Sequence, residues 1–220
     1  MSPTSADPVR LDIDHVLIAT RDLATAASQM EARYGLASIA GGLHPGWGTE
    51  NRIVPLGETY LELVSVVDET EATQSAFGRW VASGARFLLL PIGWAVRTEQ
   101  IDSVARRLGL SIRAGSRRTP AGDLLQWRSA GVEEVAAESS LPFFIDWHAG
   151  TPHPGRAPAK HPGGGAKIAR ILARGESSRM EAWLGTRVLP VEVTPGEPQT
   201  AGVVLSRAGR EIIIGPVQAP

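Results

Sequence analysis

Apolar residues recur with helical spacing in three segments of the chain, and each segment ends at a glycine. In the first segment the apolar positions fall at i, i+3, i+4, i+7 and i+11, which predicts one buried face of a helix. A glycine directly after the last turn is typical of a helix C-cap. The segments are residues 23–34, 101–108 and 180–184, followed by Gly35, Gly109 and Gly185.

Short runs rich in β-branched residues and bounded by glycine or proline flank each helix and predict strands. The order strand, helix, further strands therefore occurs three times along the chain, with an additional connecting helix predicted within residues 70–85. A repeat of this order predicts an α+β fold of βαβββ modules. We expect the modules to form a cup-shaped, mostly antiparallel curved sheet with the helices outside.

Residues 149–166 read AGTPHPGRAPAKHPGGGA, and their proline and glycine content predicts a break in regular structure. This segment is the best candidate boundary in the chain. It divides a two-module body, residues 11–148, from a third βαβββ-like module, residues 167–216. The segment itself is interpreted as a linker.

The composition limits the classes of function. The chain has 220 residues, 43% of them hydrophobic, which is enough to bury a substantial core. Its 22 basic and 23 acidic residues leave a net charge of −1 without long runs of either sign, which argues against nucleic acid as an obligate partner. There are no cysteines, no signal-peptide pattern and no apolar stretch of membrane-spanning length. We expect a soluble cytoplasmic protein without a membrane partner.

Several separated motifs resemble a known family. The segments DHVLIAT, GGLHPGWGTENRIVPLG and YLELVSV in the first module, and LPFFIDW in the second, are similar to the glyoxalase-like domain of the vicinal oxygen chelate superfamily. The resemblance covers residues 11–155, and reaches the third module through the repeat alone. Members of this superfamily include isomerases, lyases, dioxygenases, epimerases and drug-binding proteins, so the resemblance implies a fold more firmly than a reaction.

The resemblance also implies a divalent metal ion inside the cup. The ligands would come from the start of a module's first strand and from its last strand, which in this sequence are His15 and Glu62. In the second module Gly93 aligns with His15, so one histidine of a symmetric site is missing, while Asp146 aligns with Glu62 and is the third candidate ligand. Imidazole and carboxylate ligands suit Fe(II), Mn(II), Ni(II) or Zn(II). In the alternative interpretation Glu62 faces solvent and His15 is a packed, hydrogen-bonded residue.

Two further histidines are candidate catalytic groups. His44 begins one of three His-Pro-Gly triplets, between the first helix and the next strand, where loops overhang the mouth of such a cup. His148 follows Asp146 by two residues and is an alternative proton-transfer group. The other two triplets, at His153 and His161, are interpreted as rigid surface turns.

Four residues are candidates for binding a substrate. Trp47 would form an apolar wall beside His44, and Trp94 lies on a strand that we expect to line the cup. Asn51 and Arg52 could bind a substrate carboxylate or carbonyl.

Two functions remain open from the sequence. The first is a metal-dependent lyase, isomerase or dioxygenase that acts on a small oxygenated metabolite. The second is a metal-free cup that binds or sequesters a small molecule, as drug-resistance members of the superfamily do. The odd number of modules also predicts a homodimer.

Overall fold

The computed structural model describes residues 9–185 and 188–218. Residues 1–8, where the sequence predicts no signal peptide, and residues 186–187, within the predicted third module, lie outside that part, as do residues 219–220. Among the helices of the described residues, none has the length and hydrophobicity needed to cross a lipid bilayer.

The first two modules contain the predicted order of elements. The first module comprises β1 (Asp12–Ala19), α1 (Leu23–Tyr34), β2 (Ile39–His44), β3 (Thr49–Pro55) and β4 (Tyr60–Val66). Two short helices then follow where one connecting helix was predicted, α2 (Glu69–Gln74) and α3 (Ala76–Ser83). The second module comprises β5 (Phe87–Arg97), α4 (Ile101–Leu108), β6 (Ile112–Arg118), β7 (Leu124–Ala130), α5 (Val132–Ala137) and β8 (Phe143–Trp147). As predicted, α1 and α4 end at Gly35 and Gly109, both in the left-handed conformation.

The strands of these two modules form one curved sheet in the order β2-β3-β4-β1-β5-β8-β7-β6. Within each module the first strand pairs with the last in parallel, and antiparallel pairing of β1 with β5 joins the modules. The remaining neighbours pair antiparallel, so the predicted cup of mostly antiparallel strands is confirmed.

The curved sheet almost closes on itself within a single chain. The two outermost strands, β2 and β6, approach one another, and the buried Arg117 guanidinium donates a hydrogen bond across the gap to the carbonyl oxygen of Gly41, at 3.0 Å. Both modules therefore contribute to one cup.

The C-terminal segment has the predicted element order but a different strand pairing. It comprises β9 (Lys167–Arg174), α6 (Ser177–Leu184), β10 (Val191–Thr194), β11 (Gln199–Arg207) and β12 (Arg210–Ile214). Its separate sheet has the order β10-β9-β11-β12, in which the first strand pairs in parallel with the second strand rather than with the last. The third βαβββ-like module, residues 167–216, therefore stays a prediction, since element order does not determine strand pairing. A final strand, β13 (Val217–Gln218), returns to pair with β5.

The C-terminal segment packs against the second module through Trp183 of α6. The indole ring is 3% exposed, stacks on Phe144 at 6.0 Å between ring centroids, and donates a hydrogen bond of 2.7 Å to the carbonyl oxygen of Pro142. One continuous hydrophobic core includes residues of both parts. The division into residues 11–148, 149–166 and 167–216 therefore stays a proposal.

The proline- and glycine-rich segment 149–166 is attached to the first module by its two histidines. His161 accepts a hydrogen bond from the backbone N–H of Ala37 and donates one to the carbonyl oxygen of Pro55. His153 contacts the carboxylate of Asp14 in β1 at 3.0 Å. The interpretation of both histidines as surface turns is wrong, because each forms long-range hydrogen bonds to another part of the fold.

Candidate functional site

The inside of the cup encloses a narrow cavity of about 40 Å³, which is room for a few water molecules. Polar side chains from the first module line one side of the cavity, and aromatic side chains line much of the other. The polar group is His15, His44, Asn51 and Glu62, and the aromatic group is Trp47, Phe77, Trp127, Phe143 and Trp147.

Strand alternation brings the polar group together. In the parallel pairing of β1 with β4, His15 lies beside Tyr60 and Leu17 lies beside Glu62, so these side chains share the inner face of the sheet. Asn51 of β3 lies beside Val64 of β4 and faces the same way. The convergence of His15, Glu62 and Asn51 in one cavity therefore follows from the period of two along each strand. His44, at the end of β2 beside Thr49, lines the same cavity.

The imidazole of His15 is held by a buried carboxylate behind it. Its Nδ1 lies 2.7 Å from Oδ1 of Asp14, and its ring stacks on Tyr60 at 4.5 Å. The other oxygen of Asp14 contacts His153 at 3.0 Å and accepts a hydrogen bond from the indole N–H of Trp147 at 3.1 Å. Burial alone would raise the pKa of Asp14, but hydrogen bonds from His15 and His153 outweigh burial and hold that pKa well below its usual range.

Asp14 therefore fixes the tautomer of His15. An ionised carboxylate only accepts hydrogen bonds, so Nδ1 of His15 carries a proton and Nε2 is directed toward the carboxylate of Glu62, 3.7 Å away. A carboxylate that orients an imidazole in this way is common behind metal-binding and catalytic histidines.

Glu62 lies between the two inward-facing histidines. Its Oε1 accepts a hydrogen bond of 2.8 Å from the Asn51 amide and lies 3.6 Å from Nε2 of His44. Its Oε2 has His15 as its near neighbour. The Asn51 amide also contacts Nε2 of His44 at 3.1 Å, while Oδ1 of Asn51 is buried without a hydrogen-bond partner among the described residues. The Glu62 carboxylate and the His44 nitrogen, which both contact the amide nitrogen of Asn51, fix the orientation of the amide.

His44 is a neutral imidazole at physiological pH. Burial is the main cause that lowers the pKa of His44 to about 4; Arg117 and His15 act in the same direction as burial, and the Glu62 carboxylate opposes it. Its Nδ1 lies 2.9 Å from the hydroxyl of Thr49, which fixes the ring.

This depressed pKa predicts a pH dependence of stability. As the pH falls below about 6.5, the unfolded chain takes up a proton on His44 before the folded protein does, so stability is lost between pH 6.5 and about 4. The contribution from this residue reaches about 3 kcal/mol at the lower limit. Urea unfolding of the wild type and of His44→Gln across this range should show a shallower pH dependence in the variant.

The exposed His148 provides the matched control. His148→Gln should keep the wild-type slope of unfolding free energy against pH. Equal slopes in wild type and His44→Gln would contradict the assignment of the buried, neutral imidazole.

The structure does not bring Asp146 to His15 and Glu62. Asp146 lies on the outer face of β8, where it pairs with Arg128. The register places Phe143 beside Ala95, as it places Tyr60 beside His15, so the counterparts of His15 and Glu62 in the second module are Ala95 and Ile145. The alignment of Asp146 with Glu62 is one residue out, and a one-residue displacement moves a side chain to the opposite face of a strand.

Of the other candidates, Trp47 and Asn51 line the cavity, and three residues do not. His148 is exposed outside the cup, and the Arg52 side chain binds Ser38. Trp94 is fully buried and donates its indole N–H to the carbonyl oxygen of Ser140. Trp94 is thus a core residue, because the inner face of β5 is formed by its strand neighbours.

Several residues of the site were not anticipated from the sequence, among them the cavity-lining aromatic residues Phe77, Trp127 and Phe143. Asp14 stands next to His15 on the strand, yet nothing in the sequence marks it as a buried carboxylate. Arg117 lies in β6, whose sequence IRAGSRR has little of the apolar alternation that predicts a strand.

The described residues supply an incomplete metal site. They contain no group of three or more histidine, cysteine, aspartate or glutamate side chains arranged to bind a metal ion. His15 and Glu62 offer two donor atoms 3.7 Å apart, whereas a catalytic zinc ion usually has three protein ligands. A metal bound here would need further ligands from water or substrate.

A cup of paired βαβββ modules with polar side chains grouped inside is the architecture that the resemblance to the vicinal oxygen chelate superfamily implies. The chain belongs to the glyoxalase-like domain family, whose model matches residues 13–189. The comparison with curated proteins returned no match.

Several solved structures are similar to this chain. A hypothetical protein from Staphylococcus aureus is 13% identical with a TM-score of 0.58, covering 95% of this chain and 89% of that chain. A methylmalonyl-CoA epimerase from Mycobacterium tuberculosis is 18% identical with a TM-score of 0.43, covering 61% and 85%. A Streptomyces coelicolor methylmalonyl-CoA epimerase variant, in complex with 2-nitronate-propionyl-CoA, is 22% identical with a TM-score of 0.45, covering 64% and 96%.

Proposed function

We propose that this protein is a glyoxalase-like enzyme that holds a cation, either a proton or a divalent metal ion, between His15 and Glu62. Its substrate would be a small oxygenated metabolite bound in the cup. The observation that supports this proposal is the convergence of Nε2 of His15, Nε2 of His44 and the carboxylate of Glu62 within 3.7 Å contacts.

The contact between His15 and Glu62 favours a cation. Nε2 of His15 and Oε2 of Glu62 are both hydrogen-bond acceptors, whereas Oε1 of Glu62 already accepts from the Asn51 amide. A proton or metal ion held between Nε2 and Oε2 removes the repulsion between their lone pairs. The same cation would then face a substrate oxygen, where negative charge develops in enolisation and in related reactions.

Each residue of the cluster has a separate task in this proposal. Asp14 orients the His15 ring, and the Asn51 amide occupies Oε1 of Glu62, so that Oε2 is the atom that accepts and returns a proton. His44 stays neutral and limits the positions that Glu62 can adopt. A divalent metal ion, when bound, would supply Lewis-acid polarisation of a substrate oxygen. No step proposed here depends on it, because the protein ligand set is incomplete.

Two measurements test the proposal. Elemental analysis of protein purified without chelators or a histidine tag should show whether about one metal ion is bound per chain, and whether His15→Ala/Glu62→Ala removes it. Proton NMR in D₂O should show exchange of the α-protons of pyruvate or hydroxyacetone faster than without protein. Loss of the general base in Glu62→Gln should reduce that rate by about 10²-fold or more.

Asp146→Asn is the matched control, since this carboxylate lies outside the cup. It should retain both the metal content and the exchange rate of the wild type. A wild type with neither bound metal nor α-proton exchange would overturn the enzyme proposal.

A second function is a metal-free protein that binds or sequesters a small molecule. The aromatic side of the cavity favours it, since Trp47, Phe77 and Trp127 offer flat apolar surfaces. If the protein only binds a ligand, the double variant His15→Ala/Glu62→Ala should keep its ligand affinity. If the protein is an enzyme, the same variant should lose turnover.

The reaction type, whether lyase, isomerase or dioxygenase, belongs to the same proposal. The homodimer and the cytoplasmic location also stay predictions. Size-exclusion chromatography with light scattering would detect the dimer.

A further inference from the structure

Arg117 is a buried cation inside the cup with little to bind it. The residue is 5% exposed and lines the cavity from β6. Its Nη1 donates to the carbonyl oxygen of Gly41 at 3.0 Å, and this is its one hydrogen bond within the described residues. No carboxylate of residues 9–185 and 188–218 lies within ion-pair distance of the Arg117 guanidinium.

A guanidinium in this position is energetically costly, because a buried charge needs a partner. Glu62, the other charged group of the cavity, accepts a hydrogen bond from the Asn51 amide and forms no ion pair with Arg117. Within the described residues, the Nε and Nη2 atoms of Arg117 form no hydrogen bond, and neither atom is fully buried. Because Arg117 lines the cavity, these two donors are available to a ligand bound there.

The cavity that Arg117 lines also has flat, apolar walls. The rings of Trp47 and Phe77 lie 4.8 Å apart, Trp47 and Trp127 lie 6.4 Å apart, and Trp127 and Trp147 lie 5.6 Å apart, measured between centroids. A ligand that enters this cavity meets two open guanidinium donors on one side and aromatic surface around them.

We propose that Arg117 binds the carboxylate of the ligand, which makes the ligand a small carboxylic acid with a planar or apolar body. The free N–H groups of a guanidinium match the two oxygens of a carboxylate, and the resulting pair neutralises the buried charge. The narrow cavity limits the ligand to a few non-hydrogen atoms beyond the carboxylate. This inference rests on the proposed function only in locating the ligand in the same cup.

The test compares an acid with its uncharged isostere. Pyruvate and pyruvamide have nearly the same shape, and the carboxylate of pyruvate carries the charge. In titrations followed by saturation-transfer NMR, we expect the wild type to bind pyruvate at least tenfold more tightly than pyruvamide. In Arg117→Met this preference should fall to about onefold.

Arg118→Met is the matched control, because Arg118 is the next residue on the same strand and its exposed side chain points away from the cup. It should keep the wild-type preference. Should Arg117→Met fail to fold, as judged by circular dichroism, Arg117→Lys keeps the charge but loses the planar fork, and should lower the preference several-fold. Equal binding of both probes by the wild type, no binding of either at millimolar concentration, or an unchanged preference in the Arg117 variant would overturn the inference.

The outcome is separable from that of the proposed function. The preference for pyruvate over pyruvamide is also measured on chelator-treated wild type and on Glu62→Gln. This binding measurement requires neither a bound metal ion nor turnover. A preference that depends on Arg117 without α-proton exchange would reject the enzyme and keep the acid-binding site. Exchange without any such preference would do the reverse.

Discussion

Replacement of Asp14 by asparagine is expected to lower the free energy of unfolding by about 3–5 kcal/mol, the usual cost of breaking a buried charged network. Asp14 is fully buried and accepts from the His15 and His153 rings and the Trp147 indole. An asparagine amide would direct two N–H groups at these donors, leaving at least one of them unpaired. Guanidinium chloride unfolding at pH 7 measures the loss.

The matched control is Asp12→Asn, two residues earlier on β1. Asp12 pairs with the exposed Arg10, so its loss should cost less than about 1 kcal/mol. The effect on the site is separate from stability: Asp14→Asn should also change the pH dependence of any α-proton exchange, because the tautomer of His15 is no longer fixed. A cost equal to that of Asp12→Asn would refute the proposed role of the network.

Trp183→Ala is expected to destabilise the protein by about 3–5 kcal/mol, because it removes a large buried ring and leaves a cavity. The ring lies between the C-terminal segment and the second module, against Phe144. The transition should remain single, since one core includes residues of both parts. Thermal unfolding followed by near- and far-ultraviolet circular dichroism tests both statements.

Trp183→Phe separates packing from hydrogen bonding. It retains most of the apolar contact but leaves the carbonyl oxygen of Pro142 without its donor, a loss of about 1–3 kcal/mol. Two separate transitions in the wild type would instead support residues 167–216 as an independent domain.

The cup could be predicted from the sequence because the signals that define its helices and strands are local. Apolar periodicity and the glycines at 35 and 109 define helices, and β-branched runs define strands around them. The pairing of the C-terminal strands was not accessible, because the same element order is compatible with both sheet orders. The segment 149–166 was misread for a related reason: its composition indicates irregular backbone but carries no information on hydrogen bonds to distant residues.

The candidate site divides in the same way. His15 and Glu62 were candidates through the family resemblance, His44 through its His-Pro-Gly triplet, and Asn51 as a possible contact for a substrate carboxylate or carbonyl. All four line one cavity in the structure. The predicted alignment of Asp146 with Glu62 was displaced by one residue. On a strand, that displacement moves the side chain from the inner face of the sheet to the outer face. The place of Arg117 in the cavity could not be predicted from the sequence. The polar strand that carries it is stabilised by its neighbours in the sheet and has no local apolar pattern.

The two halves of the cup differ in chemistry although they share one architecture. Acceptor atoms come from the first module, whereas Ala95 and Ile145 occupy the corresponding places in the second. Duplicated modules in this state can diversify separately: substitutions at Trp127, which has no ring contact to His15 or His44, would reshape the cavity, whereas Phe143 packs against the His15 ring at 5.5 Å between centroids. Laboratory evolution of new ligand scope should therefore concentrate on the second module, with Trp147 excepted because its indole N–H also supports Asp14.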